Sequence, residues 1–275
     1  MRNITAYFTP ATPHEALAIF RQQSGRGAFI AGGTQIAARR DPSLNFLVDL
    51  TACGLQRITT DAEYLRLGAC VTLAEIQTAT MLHTFASGML AEVAGWTGSV
   101  QLRNAATIGG ALMAQADLAL AFLALDARVI IAGVQPRTVP LAEFYTATGL
   151  TLAADEIITA LEIPLVWQDA AARAVHLSRT RQDRSLLTVA VALQDAPAHC
   201  HDARVVVAPV AVGMTRVPAV EAVLNGQALT PDVIAQAAIQ AEAKVSLVAD
   251  FRASASYRRE VLPVYLKRAL TAIEH

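Results

Sequence analysis

The sequence is poor in cysteine and in charge, and each shortage excludes a class of protein. Its three cysteines, Cys53, Cys70 and Cys200, are too few and too scattered for a disulfide framework or a tetrahedral sulfur site. They are typical of buried thiols in a reducing cytoplasm, where we expect the protein to reside. Charged residues make up 16% of the chain and the formal net charge is -1, which argues against nucleic acid or an anionic membrane surface as the main partner.

An uninterrupted apolar run long enough to cross a membrane is also lacking. The apolar stretch over residues 111–132 is broken by Asp117, Asp126 and Arg128. The first residues do not contain the apolar core of a secretory signal peptide. We therefore expect a soluble protein without a membrane span.

Hydrophobic residues are abundant, at 54% of the 275 residues, so the chain can bury an ample core. Low charge combined with this apolar content predicts more apolar surface than one core can hide. The excess would mark a subunit interface.

The order of predicted elements divides the chain into three parts of an α+β fold. Alternating strand and helix, with Thr12 capping a helix that begins at Pro13, favours a small parallel sheet in residues 1–55. A half-buried strand near residues 64–69 and helices near 73–80 and 85–94 begin a larger mixed part, residues 56–165. Two strands and two closing helices, the first capped by Thr230, predict a smaller α+β C-terminal domain, residues 166–275.

Two glycine pairs are the candidate binding features. Gly32 and Gly33 follow a predicted strand, and Gly109 and Gly110 follow a threonine. Glycine lets a ligand approach the backbone, and successive N–H groups turned to one side bind an anion such as phosphate. Taken alone, such a pair is better explained as a plain tight turn after a buried strand. Two together suggest a dinucleotide, although neither fits the G-x-G-x-x-G pattern.

Other chemistry has little support. The carboxylate of Asp117 could accept hydrogen bonds from ribose hydroxyls, but it could equally cap the helix starting at Leu118. His199 and His201 beside Cys200 could bind a metal, yet their surroundings are typical of a loop between strands. We find no hydrolase elbow, P-loop or H-E-x-x-H motif, and predict no catalytic side chain.

The two turns, in this order, resemble those of the FAD-binding medium subunits of the xanthine dehydrogenase and carbon monoxide dehydrogenase family of molybdenum hydroxylases. The long match is QLRNAATIGG at residues 101–110. The similarity continues through residues 117–127 and 155–164 to DFRASASYRR at residues 250–259. It therefore covers nearly the whole chain.

The resemblance implies FAD held across a bipartite FAD-binding domain, residues 1–165. The residues implied to line the pyrophosphate and part of the isoalloxazine, mainly through backbone groups, are Phe29, Ile30, Ala31, Gly32, Gly33, Thr34, Gln35 and Ile36. Those implied to hold the pyrophosphate from the other side are Thr107, Ile108, Gly109 and Gly110. Asp117 matches the family aspartate near the adenosine ribose, and Ile158 falls at the adenine end.

Two positions depart from the family pattern. Ala111 stands where the family usually has asparagine after the second glycine pair. His176 stands where a lysine commonly reaches the flavin. The loop from Ala111 to Asp117 also looks shorter than in the family, so the surroundings of the flavin differ while the pyrophosphate-binding turns remain.

The resemblance also implies partners. Substrate would be oxidised in a molybdopterin-binding large subunit, and electrons would pass through the [2Fe–2S] clusters of a small subunit to FAD and then to an external acceptor. The expected assembly is a dimer of heterotrimers. Two alternatives remain, a structural subunit that has lost its flavin and a stand-alone FAD oxidoreductase of the vanillyl-alcohol oxidase type, for which 275 residues is short.

Overall fold

Three sheet-based units follow one another along the chain in the computed structural model, which describes residues 3–146, 149–180 and 182–274. The first unit is a small parallel sheet, as predicted. Its elements are β1 (Ala6–Phe8), α1 (Pro13–Gln22), β2 (Gly27–Ile30), α2 (Thr34–Arg39) and β3 (Phe46–Asp49). The strand order is β1-β3-β2, which leaves β2 at an edge. Thr12 caps α1 as predicted, by accepting a hydrogen bond from the Glu15 N–H.

The second unit is a five-stranded antiparallel sheet with helices packed on it. Its strands are β4 (Ile58–Thr60), β5 (Tyr64–Gly68), β6 (Arg128–Ala132), β7 (Arg137–Pro140) and β10 (Ile157–Pro164), in the order β4-β5-β10-β6-β7. A two-stranded ribbon, β8 (Tyr145–Thr146) and β9 (Gly149–Leu150), is attached to it. Sequence reasoning missed β10, the central strand. Its apolar residues run almost without alternation, the pattern of a strand covered on both faces.

The helices of this unit are short. They are α3 (Leu73–Thr78), α4 (Met89–Ala94), α5 (Val100–Ala105), α6 (Ile108–Met113), α7 (Asp117–Ala124) and α8 (Leu141–Phe144), with 3₁₀ turns at Thr80–His83, Phe85–Gly88 and Leu165–Trp167. The helix predicted over residues 85–94 is interrupted, because Ala86 and Ser87 have positive φ angles.

Helix α7 is buried along its whole length after Asp117. Its residues are apolar on every side, and this allows it to lie between the second unit and the C-terminal sheet. The interpretation of Asp117 as an N-cap is wrong, since Ala116 is the cap and Asp117 is the first helical residue. No helix within the described residues is long and apolar enough to cross a membrane.

The third unit is a four-stranded antiparallel meander with three helices, where the sequence predicts two strands and two helices. Its elements are β11 (Ala171–Leu177), β12 (Leu187–Gln194), β13 (His201–Val210), β14 (Gly213–Arg216), α9 (Pro218–Leu224), α10 (Pro231–Lys244) and α11 (Ala255–Glu274). One face of β12, with Val189 and Val191, packs in the core formed with α10 and α11. The other face, with Ala190 and Ala192, packs in the core that contains α7. The α+β class is confirmed, and the predicted division at residue 165 stays a proposal.

Candidate functional site

A cleft of about 740 Å³ opens between the first and second units. Its walls are the edge strand β2, the turn into α2, the start of α6 and the segment that leads into β10. The predicted site residues that line it are Phe29, Ile30, Ala31, Gly32, Gly33, Thr34, Gln35, Ile36, Thr107, Gly109, Gly110 and Ile158. The fold thus brings both glycine turns to one cavity, of a size that suits a large organic ligand.

The first turn starts α2 without a side-chain cap. Gly33 is the N-cap residue and has φ 67°, in the left-handed region that favours glycine. The first N–H groups of a helix have no intrahelical partner. Those of Thr34 and Gln35 are therefore left to hydrogen-bond an acceptor in the cleft.

The second turn is less open than the sequence suggests. The N–H of Ile108 donates to the Val71 carbonyl at 2.9 Å and that of Gly109 to the Ala69 carbonyl at 2.8 Å, so these amides anchor the turn to the strand end. Ile108 itself is fully buried in the core and does not line the cleft. The residues of this turn that line the cavity are Gly109 and Gly110, with the Thr107 hydroxyl beside the Gly110 N–H.

The space beside Gly110 shows whether a ligand group fits at this turn. A Cβ built on it would meet the Thr107 Oγ1 at 3.3 Å and no other neighbour closer than 4 Å. The missing side chain therefore leaves open cleft rather than filled protein. The Gly110 N–H makes a long bond of 3.3 Å to Thr107 Oγ1, which a better acceptor such as a phosphate oxygen can replace.

An ion pair fixes the segment that leads into β10, which forms another wall of the cleft. Arg137 donates to both carboxylate oxygens of Glu156 and to the Thr151 carbonyl, and Glu156 accepts a bond from the Ala153 N–H at 2.8 Å. The hydrogen bond from Arg137 lowers the pKa of Glu156 below its ordinary value. Glu156 is therefore ionised at neutral pH, and its hydrogen bonds fix the backbone of this wall. Ile158, two residues further on, gives the wall an apolar surface.

Sequence reasoning missed four ionisable residues in the described lining of the cleft, namely Glu156, Arg26, Arg39 and Cys70. Arg26 lies 3.4 Å from the carboxylate of Asp41. Burial raises the pKa of the Cys70 thiol to about 12, because an apolar surrounding disfavours the thiolate. Cys70 lies two residues after β5, next to Ala69, whose carbonyl accepts the Gly109 N–H, and no signal in the sequence around Cys70 indicates a cleft.

Besides Ile108, two predicted residues lie outside the described lining of the cleft. Both carboxylate oxygens of Asp117 are engaged by hydroxyls of the third unit, with Ser185 Oγ at 2.7 Å and Thr188 Oγ1 at 2.6 Å. His176, on β11, packs against Trp96 with ring centroids 4.1 Å apart. The contacts of Asp117 and His176 thus place them at the junction of the second and third units, and their roles at a flavin stay predictions.

Comparison with known proteins gives a family for both parts of the chain. Residues 2–166 match the family model described as FAD binding domain in molybdopterin dehydrogenase, and residues 174–273 match that of the CO dehydrogenase flavoprotein C-terminal domain. The nicotine 6-hydroxylase medium subunit of Paenarthrobacter nicotinovorans is 31% identical over 277 residues, covering 96% of this chain and 95% of that one. The carbon monoxide dehydrogenase medium chain of Hydrogenophaga pseudoflava is 25% identical, covering 97% and 96%.

Solved structures share the fold. Carbon monoxide dehydrogenase from Hydrogenophaga pseudoflava, in the form that lacks the Mo-pyranopterin moiety, matches with a TM-score of 0.91 at 24% identity, over 98% of this chain and 97% of that one. Quinoline 2-oxidoreductase from Pseudomonas putida 86 matches with a TM-score of 0.89 at 23% identity, over 98% and 96%. The resemblance in the sequence is thus confirmed, and the chain belongs to the FAD-binding flavoprotein family of the molybdopterin dehydrogenases, which are oxidoreductases.

Proposed function

We propose that this protein is an electron-transfer subunit, which holds FAD in the cleft and passes electrons from an iron–sulfur subunit to an external acceptor. The observation that carries the proposal is the character of the cleft. Its described lining consists mainly of backbone and apolar groups, and Glu156 and Cys70 are not poised as bases, being paired and protonated respectively. FAD supplies the redox chemistry, while the protein binds and orients it.

The contacts along the cleft support separate binding sites for the pyrophosphate and for the adenine of FAD. We assign the pyrophosphate to the N–H groups at the start of α2 and to Thr107 and Gly110 across from them. Ile158 and the wall ordered by Arg137 would hold the adenine end. In this arrangement backbone N–H groups hydrogen-bond the phosphate oxygens, and Arg26 and Arg39 are the cationic side chains in the described lining of the cleft.

We further propose that the chain works with a molybdopterin-binding large subunit and a [2Fe–2S] small subunit, as a dimer of heterotrimers. Relatives are named as medium subunits or as parts of a dehydrogenase complex. Large apolar side chains lie exposed on the third unit and elsewhere, including Phe251, Val134, Ile239, Val166 and Val100. Those among them that lie side by side on the surface are candidates for a subunit interface, since contiguous apolar patches mark protein–protein contacts. We place the complex in the cytoplasm because Cys53, Cys70 and Cys200 are free and buried.

Co-expression with the two partner chains tests this function. The three chains should elute as one assembly, and its FAD absorbance should bleach anaerobically when the substrate of the molybdenum site is added. The panel is set by the names of the relatives: nicotine, nicotinate, glyceraldehyde and carbon monoxide. The control is the same preparation with the molybdenum subunit omitted, which should not bleach.

Other outcomes would contradict the proposal. A flavin-loaded monomer reduced directly by a small organic substrate would favour a stand-alone oxidoreductase. An assembled complex that contains no flavin would favour a structural subunit. Fractionation of cells that express the native complex tests its location.

A further inference from the structure

The third unit contacts the segment that follows one wall of the cleft, although none of its described residues lines the cleft. All described residues that line the cleft lie between Phe20 and Ile158, so none comes from the third unit. Helix α6, however, carries Gly110 and Met113 into the cleft and is followed by residues 114–116, a short turn that contacts the third unit. The Ile108 and Gly109 amides anchor the start of α6, and its end leads into this turn, so the contacts of the turn bear on where the end of α6 lies.

Asp117 holds the far end of the turn. Its Oδ2 accepts a hydrogen bond from Ser185 Oγ at 2.7 Å and its Oδ1 accepts one from Thr188 Oγ1 at 2.6 Å. Both donors are buried. Hydroxyl-to-carboxylate bonds of this length are charge-assisted and among the stronger bonds in proteins. The negative charge also lies in the first turn of α7, where the helix dipole favours it.

The pleat of β12 aims Thr188 at α7. Side chains alternate between the two faces of a strand, and the neighbouring residue Val189 points into the core with α10 and α11. Thr188 therefore shares the opposite face with Ala190, which packs in the core that contains α7. His176 is the antiparallel partner of Thr188 on β11 and lies on the same face.

Ser185 is held just as firmly. Arg252 Nη1 donates to the Ser185 carbonyl at 2.8 Å, and Arg258, which is fully buried, donates to the Leu186 carbonyl at 2.6 Å. The Ser185 hydroxyl also lies 3.3 Å from Nδ1 of His176. These bonds fix the backbone around Ser185, and the fixed backbone places its hydroxyl beside Asp117.

A second contact holds the middle of the turn. Gln115 Nε2 donates to the Val212 carbonyl at 3.3 Å. A Cβ on Gly213 would lie 2.3 Å from Gln115 Oε1, so a glycine at this position permits the contact. The turn is therefore attached to the third unit at two points, Gln115 and Asp117.

From these contacts we propose that Ser185 and Thr188 are positioning residues, which hold Asp117 and through it set α6 for FAD. The inference rests on the proposed FAD site. It gives Asp117 a structural partner in place of the direct ribose contact that the resemblance implies. Loss of either hydroxyl would leave a part-buried carboxylate short of a donor, and the turn would shift to regain one.

The experiment measures FAD dissociation from the purified full-length protein, isolated with its partners, by the fluorescence of released FAD. Ser185→Ala and Thr188→Val should each weaken FAD binding by about tenfold, because FAD would then bind only the fraction of the protein, on the order of a tenth, in which the turn keeps its position. Thr188→Ser keeps the hydroxyl and should stay within about twofold of wild type. Thr215→Val is the matched control, because the Thr215 hydroxyl bonds to the adjacent Arg216 carbonyl, away from Asp117.

A double-mutant cycle separates the two roles of Asp117. In an Asp117→Ala background, Thr188→Val should cost almost nothing further, because its partner is already gone. If Asp117→Ala weakens FAD binding while Ser185→Ala and Thr188→Val leave it unchanged, the inference is overturned and the ribose contact is favoured. Ser185→Ala removes a single oxygen and decides the matter even if Thr188→Val does not fold. A wild-type protein that holds no FAD would instead overturn the proposed function.

Discussion

The carbonyl oxygen of Ala105 occupies the space that a side chain on Gly32 would need, since a Cβ there would lie 1.6 Å from this oxygen. Gly32 belongs to the turn that starts α2, and Ala105 ends α5 two residues before Thr107. The bare backbone of Gly32 therefore lets the two turns close on each other and form one cleft.

Gly32→Ala should separate the two turns, because backbone cannot yield as a flexible side chain can. We expect the variant to lose FAD and to be less stable by about 1–3 kcal/mol, the usual cost of overpacking. Gly226→Ala is the control: it has φ +79° but no neighbour within 4 Å, so it should cost about 1 kcal/mol of backbone strain and keep FAD. Urea unfolding and FAD fluorescence measure both effects. Normal FAD retention by Gly32→Ala would show that the turns need not touch.

Substitutions at Gly110 should change stability and FAD binding in opposite directions. Gly110 lies within α6 and its Cβ would point into open cleft, so Gly110→Ala should stabilise the apoprotein by about 0.5 kcal/mol through helix propensity. The same methyl group should weaken FAD binding, and Gly110→Val should weaken it by about two decades or more. Thermal unfolding of the apoprotein and FAD titration give the two readouts. Parallel losses in both would mean that Gly110 matters for folding rather than for the ligand.

FAD should be bound without a covalent link, although Cys70 lines the cleft. Burial raises the pKa of this thiol to about 12, so it stays protonated at neutral pH and is a poor nucleophile. Acid precipitation should therefore release all the yellow colour into the supernatant, from wild type and from Cys70→Ala alike. Flavin that stays on the wild-type pellet but not on that of Cys70→Ala would identify a thioether to Cys70.

The pair between Arg137 and Glu156 should make stability depend on pH. Its hydrogen bond lowers the pKa of Glu156 in the folded protein, so the contribution is present above the unfolded value of about 4.3 and is lost as pH falls through the lower folded value. Urea unfolding of wild type and Arg137→Met should differ by about 1 kcal/mol at neutral pH and converge near pH 3.

A more exposed pair serves as control for this prediction. Arg21 meets Asp155 at 3.2 Å with both side chains more than a third exposed, so Arg21→Met should cost under about 0.5 kcal/mol. A gap for Arg137→Met that does not close as the pH falls would show that lost packing, rather than the charge on Glu156, is responsible.

Short-range features were predictable because the groups that form them lie within a few residues of one another. Thr12 caps α1, and Thr230 caps α10 by accepting a bond from the Val233 N–H. The parallel sheet follows from alternating strand and helix in the first fifty residues. The residues from Phe29 to Ile36 line one cleft with Thr107 and Gly110, and their contacts with FAD stay a prediction. For these features, local geometry and motif order were sufficient.

The residues that surround Cys70, Asp117 and β10 could not be predicted from the sequence, because they are brought there only by the tertiary structure. Nothing near Cys70 in sequence indicates a cleft, because its other wall comes from residues 25–39. Asp117 has a carboxylate that could cap a helix or bind a ribose, and its partner Thr188 lies 71 residues away on another sheet. The centre of the second sheet is β10, whose neighbours β5 and β6 come much earlier in the chain. The sequence determines which local structures and contacts each segment can form. Which of them it does form depends on the distant segments that pack against it.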